Sequence, residues 1–106
     1  QAMPNGKLAP NLAKRGIEGR RQVNSDVGFV YFNMEDPVVG GYTPQKVALR
    51  RAIGLSYDVE REIRIIRRGQ MIPAQSGIVP NTVGYSPDFK SEASDYDPAR
   101  ARALLD

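Results

Sequence analysis

Residues 43–69 read TPQKVALRRAIGLSYDVEREIRIIRRG, and this stretch contains two consecutive helix patterns that each begin with a recognisable start signal. Thr43 suits the N-cap because its hydroxyl can accept a bond from a first-turn amide, and Pro44 suits the first helical position. Apolar or small side chains then recur at the spacing of one buried helix face, at Leu49, Ala52, Ile53 and Ser56. The other side is basic, with Lys46, Arg50 and Arg51. The pattern predicts a helix over Pro44–Tyr57.

The second pattern predicts a helix over Val59–Arg68. Asp58 suits its N-cap, and apolar residues follow at i, i+4 and i+7, namely Val59, Ile63 and Ile66. Arginines in the last turn complement the negative end of the helix dipole, and Gly69 stands where a glycine commonly ends a helix. The two helices together predict a helical hairpin over residues 43–69.

The amino-acid composition limits the kinds of function. A chain of 106 residues corresponds to one domain or less, with a modest core. It has no cysteine and no histidine, so the commonest metal ligands and the commonest general base are missing. No nucleophile stands with a base, and no carboxylate pair has a defined spacing. We therefore expect a protein that is not an enzyme and that uses no metal or other cofactor.

Targeting signals are not evident in the sequence. No apolar run approaches the roughly 18 to 20 residues of a membrane span. The N-terminus also lacks the basic, apolar and small-residue order of a signal peptide. Any targeting of the natural protein is therefore expected to lie outside this chain.

The net charge of +3 is unevenly distributed. Residues 1–22 carry a net charge of +4, residues 23–43 of −3, residues 44–69 of +4 and residues 70–106 of −2. The basic stretch leaves two interpretations open. Either it is a small basic interaction module that binds nucleic acid or an acidic protein, or its arginines form a solvated face with pairs such as Glu60–Arg64. No aromatic residues interleave with the arginines, which favours the solvated face and predicts no nucleic-acid partner.

The part of the chain ahead of the hairpin predicts a strand. Residues 1–20 form a leading segment with a short helix, Pro10 to Arg15, that ends at Gly16. The region 21–34 is rich in β-branched and aromatic residues and predicts strand structure, at least over Phe29–Asn33. Apolar residues fill both faces of this strand, as in a sheet covered on both sides. The predicted fold class is therefore α+β, with a short β-strand or hairpin region before the helical hairpin.

Residues 35–42, EDPVVGGY, are interpreted as a flexible proline and glycine loop that connects the strand to the hairpin. Gly40 and Gly41 do not belong to a GxGxxG or GxxxxGK pattern, so a phosphate-binding loop is not indicated. The loop is expected to act as a turn.

Residues 70–96 predict an extended meander, because prolines and glycines recur in them at intervals of about seven residues. Irregular segments of this length usually wrap another surface or serve a site. Asp97 and Pro98 then repeat the start signal of a helix. The apolar residues that follow predict a helix over Pro98–Leu105, within the last segment, 97–106. This third helix stops after barely two turns, as in a truncated element.

The order of these motifs resembles one protein family. The predicted strand ends in Phe32-Asn33, and the two helices contain KVALRRAI and YDVERE. The second helix ends at Gly69-Gln70, the meander follows, and YDPARARALL lies in the last segment. From about Arg21 to Asp106 the chain is similar to the family 5 extracellular solute-binding proteins, the peptide, dipeptide and nickel receptors of ABC importers. The loop from Pro37 to Tyr42 is longer than the short proline turn usual in the family.

The resemblance implies both a function and a fold. Members of the family close two lobes around an extended peptide or a similar small solute and present it to an ABC permease, so it implies a periplasmic receptor with these partners. Whole members are several times longer than this chain. Residues 1–106 would then be a single subdomain from the second lobe of a periplasmic-binding-protein type II fold, with the missing lobes of the same chain as further partners.

The resemblance also implies where a solute would be bound. In the family, the strand before the Phe-Asn motif and its approach segment border the cleft between the lobes. The matching positions are Asn24, Asp26, Gly28, Phe29 and Tyr31. Asn24 can bond a main-chain amide, Gly28 allows close backbone approach, and Phe29 offers an apolar wall. Asp26 can pair with an amino terminus or a cationic side chain, or serve only in a polar turn, and Phe29 and Tyr31 are also candidates for the core.

The isolated chain is expected to associate with itself. The two-sided apolar strand and the short third helix would leave apolar surface that a missing lobe normally covers, and an exposed strand edge offers a means of pairing. Since one rim of a cleft cannot enclose a solute, the isolated chain is expected to bind none measurably.

Overall fold

The computed structural model describes residues 6–106, which form helices and irregular segments. The α-helices of this part of the chain are α1, Pro10–Ala13, α2, Pro44–Leu55, α3, Val59–Ile65, and α4, Pro98–Leu105, with a 3₁₀ helix, Glu92–Ser94, ahead of α4. The chain divides into two compact units: unit 1 combines Gln1–Asn24 with Val59–Pro73, and unit 2 combines Ser25–Asp58 with Ala74–Asp106. The longest described helix, α2, has 12 residues, and none of the described helices is long and apolar enough to cross a membrane.

The three main helices predicted from the sequence are confirmed, and their ends lie within three residues of the predicted ones. The Thr43 hydroxyl accepts a hydrogen bond from the Lys46 amide at 3.4 Å, with Pro44 at the first helical position. In α4, Asp97 Oδ1 accepts a bond from the Arg100 amide at 3.0 Å. These caps depend on neighbours in the sequence, which is why the sequence alone located the helices.

The core of unit 2 is the contact between α2 and α4. The buried or closely packed apolar residues of this contact are Ala52, Leu55, Ala101 and Leu104. The predicted apolar face of α2 is therefore partly wrong: Ile53 and Ser56 are exposed, and Leu55 is buried in their place. The buried stripe of a helix lies toward whatever element packs on it, and the element that packs on α2 is α4.

The two helices of the hairpin predicted over residues 43–69 lie in different compact units. α3 belongs to unit 1 and α2 to unit 2, where the helical neighbour of α2 is α4. The spacing of apolar residues located both helices correctly. The same spacing does not specify which other element packs against each apolar face.

Charged side chains join the 3₁₀ helix to both helices of unit 2. Arg51 of α2 donates two hydrogen bonds to the carboxylate of Glu92, from Nε to Oε2 at 3.2 Å and from Nη2 to Oε1 at 2.9 Å. Arg100 of α4 lies on the same carboxylate, with Nη2 at 2.8 Å from Oε1. The amide of Asp97 also donates to the carbonyl of Leu55 at 2.8 Å. Polar contacts therefore fix the start of α4 against the end of α2.

In unit 1, residues with left-handed backbone angles follow both helices. Gly16, with φ of +75°, comes shortly after α1, as predicted. After α3, Arg68 and Gly69 have φ of +52° and +74°, and the amide of Gly69 donates to the carbonyl of Ile63 at 2.9 Å. The predicted role of both glycines at helix ends is confirmed.

The region 70–96 is irregular, as predicted, apart from the 3₁₀ helix. Gln75 connects separate parts of it. Its carbonyl accepts from the Ser91 amide at 3.0 Å, its side-chain amide donates to the Pro87 carbonyl at 3.1 Å, and its side-chain oxygen accepts from the Tyr85 hydroxyl at 3.3 Å. This part of the meander therefore folds back on itself.

The strand predicted in the region 21–34 is not formed. Residues 18–33 are irregular, and no strand occurs in residues 6–106, so the α+β class is corrected to a helical one for the described chain. β-Branched and aromatic residues favour a strand only where a neighbouring strand pairs with the backbone and a core covers the side chains. In the described part of the chain, neither a pairing strand nor a covering core lies beside residues 29–33.

Candidate functional site

The five residues predicted to border a solute lie in the irregular segment before Asn33. Asn24 belongs to unit 1, and the other four, Asp26, Gly28, Phe29 and Tyr31, belong to unit 2. All five are exposed. The side-chain oxygen of Asn24 accepts a hydrogen bond from the side-chain Nε2 of Gln22 at 3.3 Å.

Phe29 and Tyr31 are the two predicted residues that the structure brings into contact. Their ring centroids lie 6.3 Å apart with an angle of 52° between the planes, within the usual range for a tilted aromatic pair. Their exposed fractions are 75% and 80%, so the alternative that they are core residues is wrong for this chain. Val30 between them is also exposed, so three consecutive apolar side chains are open to solvent.

We call residues 26–33 the aromatic segment. A compact loop, residues 34–41 with the sequence MEDPVVGG, follows it, and we call this the anchored loop. Asp36 closes it, because its Oδ1 accepts hydrogen bonds from the amides of Val38 at 2.8 Å and Val39 at 3.0 Å. These two backbone amides, Val39 first, hold the pKa of Asp36 below its ordinary value of 3.8, and the charge of Lys46 acts in the same direction. Asp36 is therefore an anion with a structural role at neutral pH.

Gly40 is the buried residue of the anchored loop. Its amide donates to the carbonyl of Asp36 at 2.9 Å. A Cβ atom at this position would overlap the carbonyl oxygens of Met34 and Asp36. The loop can therefore close in this form only with glycine at position 40.

Two cations of α2 fasten the anchored loop to the helix. Lys46 Nζ and Arg50 Nη1 each donate to two main-chain carbonyls of the loop. The four accepting carbonyls, at 2.6 to 2.8 Å, belong to Pro37, Val38, Val39 and Gly41. Lys46 and Arg50 therefore do not form the free solvated face expected of them. Their side chains lie one helical turn apart on the same face, so both reach the same loop.

The anchored loop fixes the end of the aromatic segment. Asn33 links the two, because its Oδ1 accepts a hydrogen bond from the amide of Glu35 at 3.1 Å. Tyr31 lies two residues before Asn33. Asn33 is hydrogen-bonded to the anchored loop, and the loop is hydrogen-bonded to α2. The exposed aromatic rings therefore lie close in sequence to a hydrogen-bonded loop.

The groups that most often bind metals are sparse. The chain has no histidine or cysteine, and in residues 6–106 no cluster of three or more acidic side chains is placed to hold a metal ion. The contacts that the described aromatic segment can offer to a ligand are main-chain hydrogen bonds, aromatic surface and the carboxylate of Asp26.

Two surface depressions lie at the end of α3, in unit 1. The larger, about 850 Å³, is lined by apolar residues together with Glu60, Arg64 and Arg68. The smaller, about 500 Å³, is lined by Ile66, Arg67, Arg68, Gln70 and Met71. Arg68 borders both depressions.

Comparison with known families identifies the chain. The family model described as Bacterial extracellular solute-binding proteins, family 5 Middle, matches residues 1–106. The chain belongs to this family. Neither curated proteins nor solved structures gave a significant match to this family 5 chain.

Membership gives the family 5 chain its general function. The family consists of solute-binding proteins rather than enzymes, and its members work in ABC transport, outside the cytoplasm. The resemblance that the sequence showed from Arg21 onward is therefore confirmed. Its strongest parts were helix sequences, and the structure confirms these helices.

The arginines of residues 44–69 are divided between the two units of the family 5 chain. Arg50 and Arg51 of unit 2 are engaged by the anchored loop and by Glu92. Arg64, Arg67 and Arg68 belong to unit 1. The arginines of α2 are therefore already bonded within unit 2, which weakens the interpretation of residues 44–69 as a basic interaction module.

The anchored loop was missed from the sequence, where it was interpreted as a flexible turn. The signal was present: Asp36 and Pro37 begin a tight turn, two glycines end it, and cations stand one helical turn apart at the start of the next helix. Each feature alone is common. Only the fold shows that the cations face carbonyls rather than solvent.

Proposed function

We propose that this chain forms part of a periplasmic receptor that binds peptides or similar small solutes and delivers them to the permease of an ABC transporter. The observation that carries the proposal is the family match over residues 1–106. The proposal includes the further segments that would complete the lobes of the receptor. It also includes the closure of these lobes around the solute.

The proposed solute contacts are Asn24, Asp26, Gly28, Phe29 and Tyr31. The exposure of Phe29 and Tyr31 and their mutual contact support an aromatic wall for an apolar side chain of the solute. The main-chain amides of residues 27–32 donate no backbone hydrogen bond to another described residue, so they are open to an extended peptide. Asp26 is proposed to pair with a cationic group of the peptide.

The test is a calorimetric titration of the complete receptor with a neutral tripeptide, trialanine, and a cationic one, trilysine. We expect Phe29→Ala to weaken the binding of both by about 1 to 3 kcal/mol, because the aromatic wall is lost. Asp26→Ala should weaken trilysine more than trialanine, because only the longer cationic side chains gain further contacts with the carboxylate.

Tyr42→Ala is the matched control, since Tyr42 is an equally exposed aromatic residue beyond the anchored loop. Unchanged affinity in the Phe29 and Asp26 variants, with the fold intact, would assign the aromatic segment to the scaffold. A complete receptor that binds neither tripeptide would instead contradict the peptide specificity.

A further inference from the structure

The charges of the chain are divided unequally between the two compact units. The sequences of unit 1 contain nine lysines and arginines against three acidic residues, whereas those of unit 2 contain six against nine. Unit 1 therefore carries a net charge of +6 and unit 2 of −3. An uneven distribution of this kind indicates attraction between the basic unit and an anionic partner.

Part of this positive charge lies at the end of α3, where aliphatic side chains are also exposed. We call this region the basic aliphatic surface; it lines the two depressions at the end of α3 and consists of Arg64, Ile65, Ile66, Arg67, Arg68 and Met71. The isoleucines are 58% and 67% exposed, a high fraction for the largest aliphatic side chains. In the sequence the two isoleucines are consecutive and stand between Arg64 and the pair Arg67 and Arg68.

Acidic groups are few around the basic aliphatic surface. The sequence contains no Asp or Glu between residues 63 and 87. Glu60 lies on the larger depression, and Glu62 pairs with Arg67 at 3.3 Å. Because most of the local charge is positive, the partner is expected to be negatively charged.

We propose that the basic aliphatic surface binds anionic phospholipid bilayers. Aliphatic side chains enter the boundary between the headgroups and the acyl chains, while the arginines extend toward the lipid phosphates. A nucleic acid fits less well, because no aromatic residue between positions 58 and 84 is available to stack on bases. An acidic protein also fits less well, since the aromatic anchors typical of protein interfaces are absent from the same positions. The proposal does not depend on solute binding.

The experiment is co-sedimentation of the 106-residue chain with vesicles, either of phosphatidylcholine alone or of phosphatidylcholine mixed with phosphatidylglycerol. We expect binding to the anionic vesicles only, and weaker binding as salt is added. The double variant Arg64→Gln/Arg68→Asn should bind about 25-fold less strongly, at about fivefold for each arginine near an anionic surface. Asparagine is chosen at position 68 because it tolerates the left-handed backbone found there.

Matched variants separate this surface from net charge and from general hydrophobicity. Lys90→Gln/Arg102→Gln removes the same charge from unit 2 and should leave vesicle binding little changed. Ile66→Ser should weaken binding, whereas Val83→Ser, which also alters a fully exposed aliphatic residue, should not. Far-UV circular dichroism checks that each variant keeps its helices, and Arg64→Gln alone replaces the double variant if the latter unfolds.

Three results would overturn the proposal. The first is no binding to anionic vesicles at low salt, and the second is an equal loss of binding in the unit 2 control. The third is a chain that does not bind vesicles but binds polyglutamate, with the same arginine substitutions weakening the binding to polyglutamate. That outcome would assign the surface to an acidic protein partner.

Discussion

Gly40 occupies a place where neighbouring backbone atoms leave no room for a side chain. The carbonyl oxygens of Met34 and Asp36 surround the position of the missing Cβ atom, and the Gly40 amide is bonded to one of them. At the scale of single residues, the anchored loop therefore depends on backbone packing rather than on a hydrophobic contact. The cations of α2 add to this, because they bond the loop carbonyls that the turn itself leaves unpaired.

We expect Gly40→Ala to lower the free energy of unfolding by about 1 to 3 kcal/mol, because the added methyl group forces the loop to open. Urea unfolding followed by circular dichroism measures this. Gly54→Ala is the control: Gly54 lies within α2, a Cβ atom there meets nothing within 4 Å, and the change should raise the free energy of unfolding by about 0.5 to 1 kcal/mol. Equal effects of the two substitutions would contradict the close packing inferred at position 40.

At the scale of secondary-structure elements, unit 2 is joined by an ionic contact between α2, the 3₁₀ helix and α4. Glu92 receives two hydrogen bonds from Arg51 and lies beside Arg100. The hydrogen bonds from Arg51, followed by the charge of Arg100, hold the pKa of Glu92 below its ordinary value of 4.5, although partial burial opposes this. The same contact raises the pKa of Arg51.

The lowered pKa of Glu92 predicts how stability depends on pH. A carboxylate with a lower pKa in the folded state stabilises fully above its unfolded pKa, and this stabilisation is lost as the pH falls through the folded pKa. Glu92→Gln should therefore lower the unfolding temperature at pH 7, and the difference from the unmodified chain should shrink below pH 4.5. Thermal melts at several pH values measure the difference.

Glu18→Gln is the matched control for the effect of Glu92. Glu18 pairs with Arg20 at 3.4 Å with both side chains largely exposed, so its loss should change the unfolding temperature little at any pH. A difference for Glu92→Gln that stayed constant down to pH 3 would show that the carboxylate charge does not join the elements.

At the scale of the whole molecule, few apolar residues of the described chain are buried. The hydrophobic core consists of Ala52, Leu55 and Ala101, with Leu104 packed against it, while many larger apolar side chains stay exposed. The aromatic segment is the clearest example, with Phe29, Val30 and Tyr31 in succession. Exposed apolar side chains beside open main-chain amides favour association with another surface.

We therefore expect the isolated chain to associate with itself through the aromatic segment, so that light scattering gives a mass that rises with concentration. Phe29→Ser/Tyr31→Ser should weaken this association about tenfold or more, because aromatic anchors contribute much of the energy of protein contacts. Val83→Ser, a change at an exposed aliphatic residue elsewhere in unit 2, should have little effect. A single monomeric species at high protein concentration would contradict the prediction.

The candidate site was predictable in part. The residue types at Asp26, Phe29 and Tyr31 and the family resemblance were readable from the sequence, and the structure adds that the two rings meet in an exposed position. Their assignment to a strand was wrong, because strand formation needs a pairing partner that local propensity does not supply. Their role in solute binding stays a prediction.

The sequence by itself determined where the helices begin and, to within three residues, where they end, because caps such as Thr43 and Asp97 act on backbone groups a few residues away. It also determined the family, which the match over residues 1–106 confirms. Only the tertiary structure decided that α2 packs on α4, that Arg51 meets Glu92, and that Lys46 and Arg50 bond a loop. The physical reason is range: a cap is a contact between neighbours in sequence, whereas these partners lie up to 41 positions apart, and spacing along one helix does not specify what faces it.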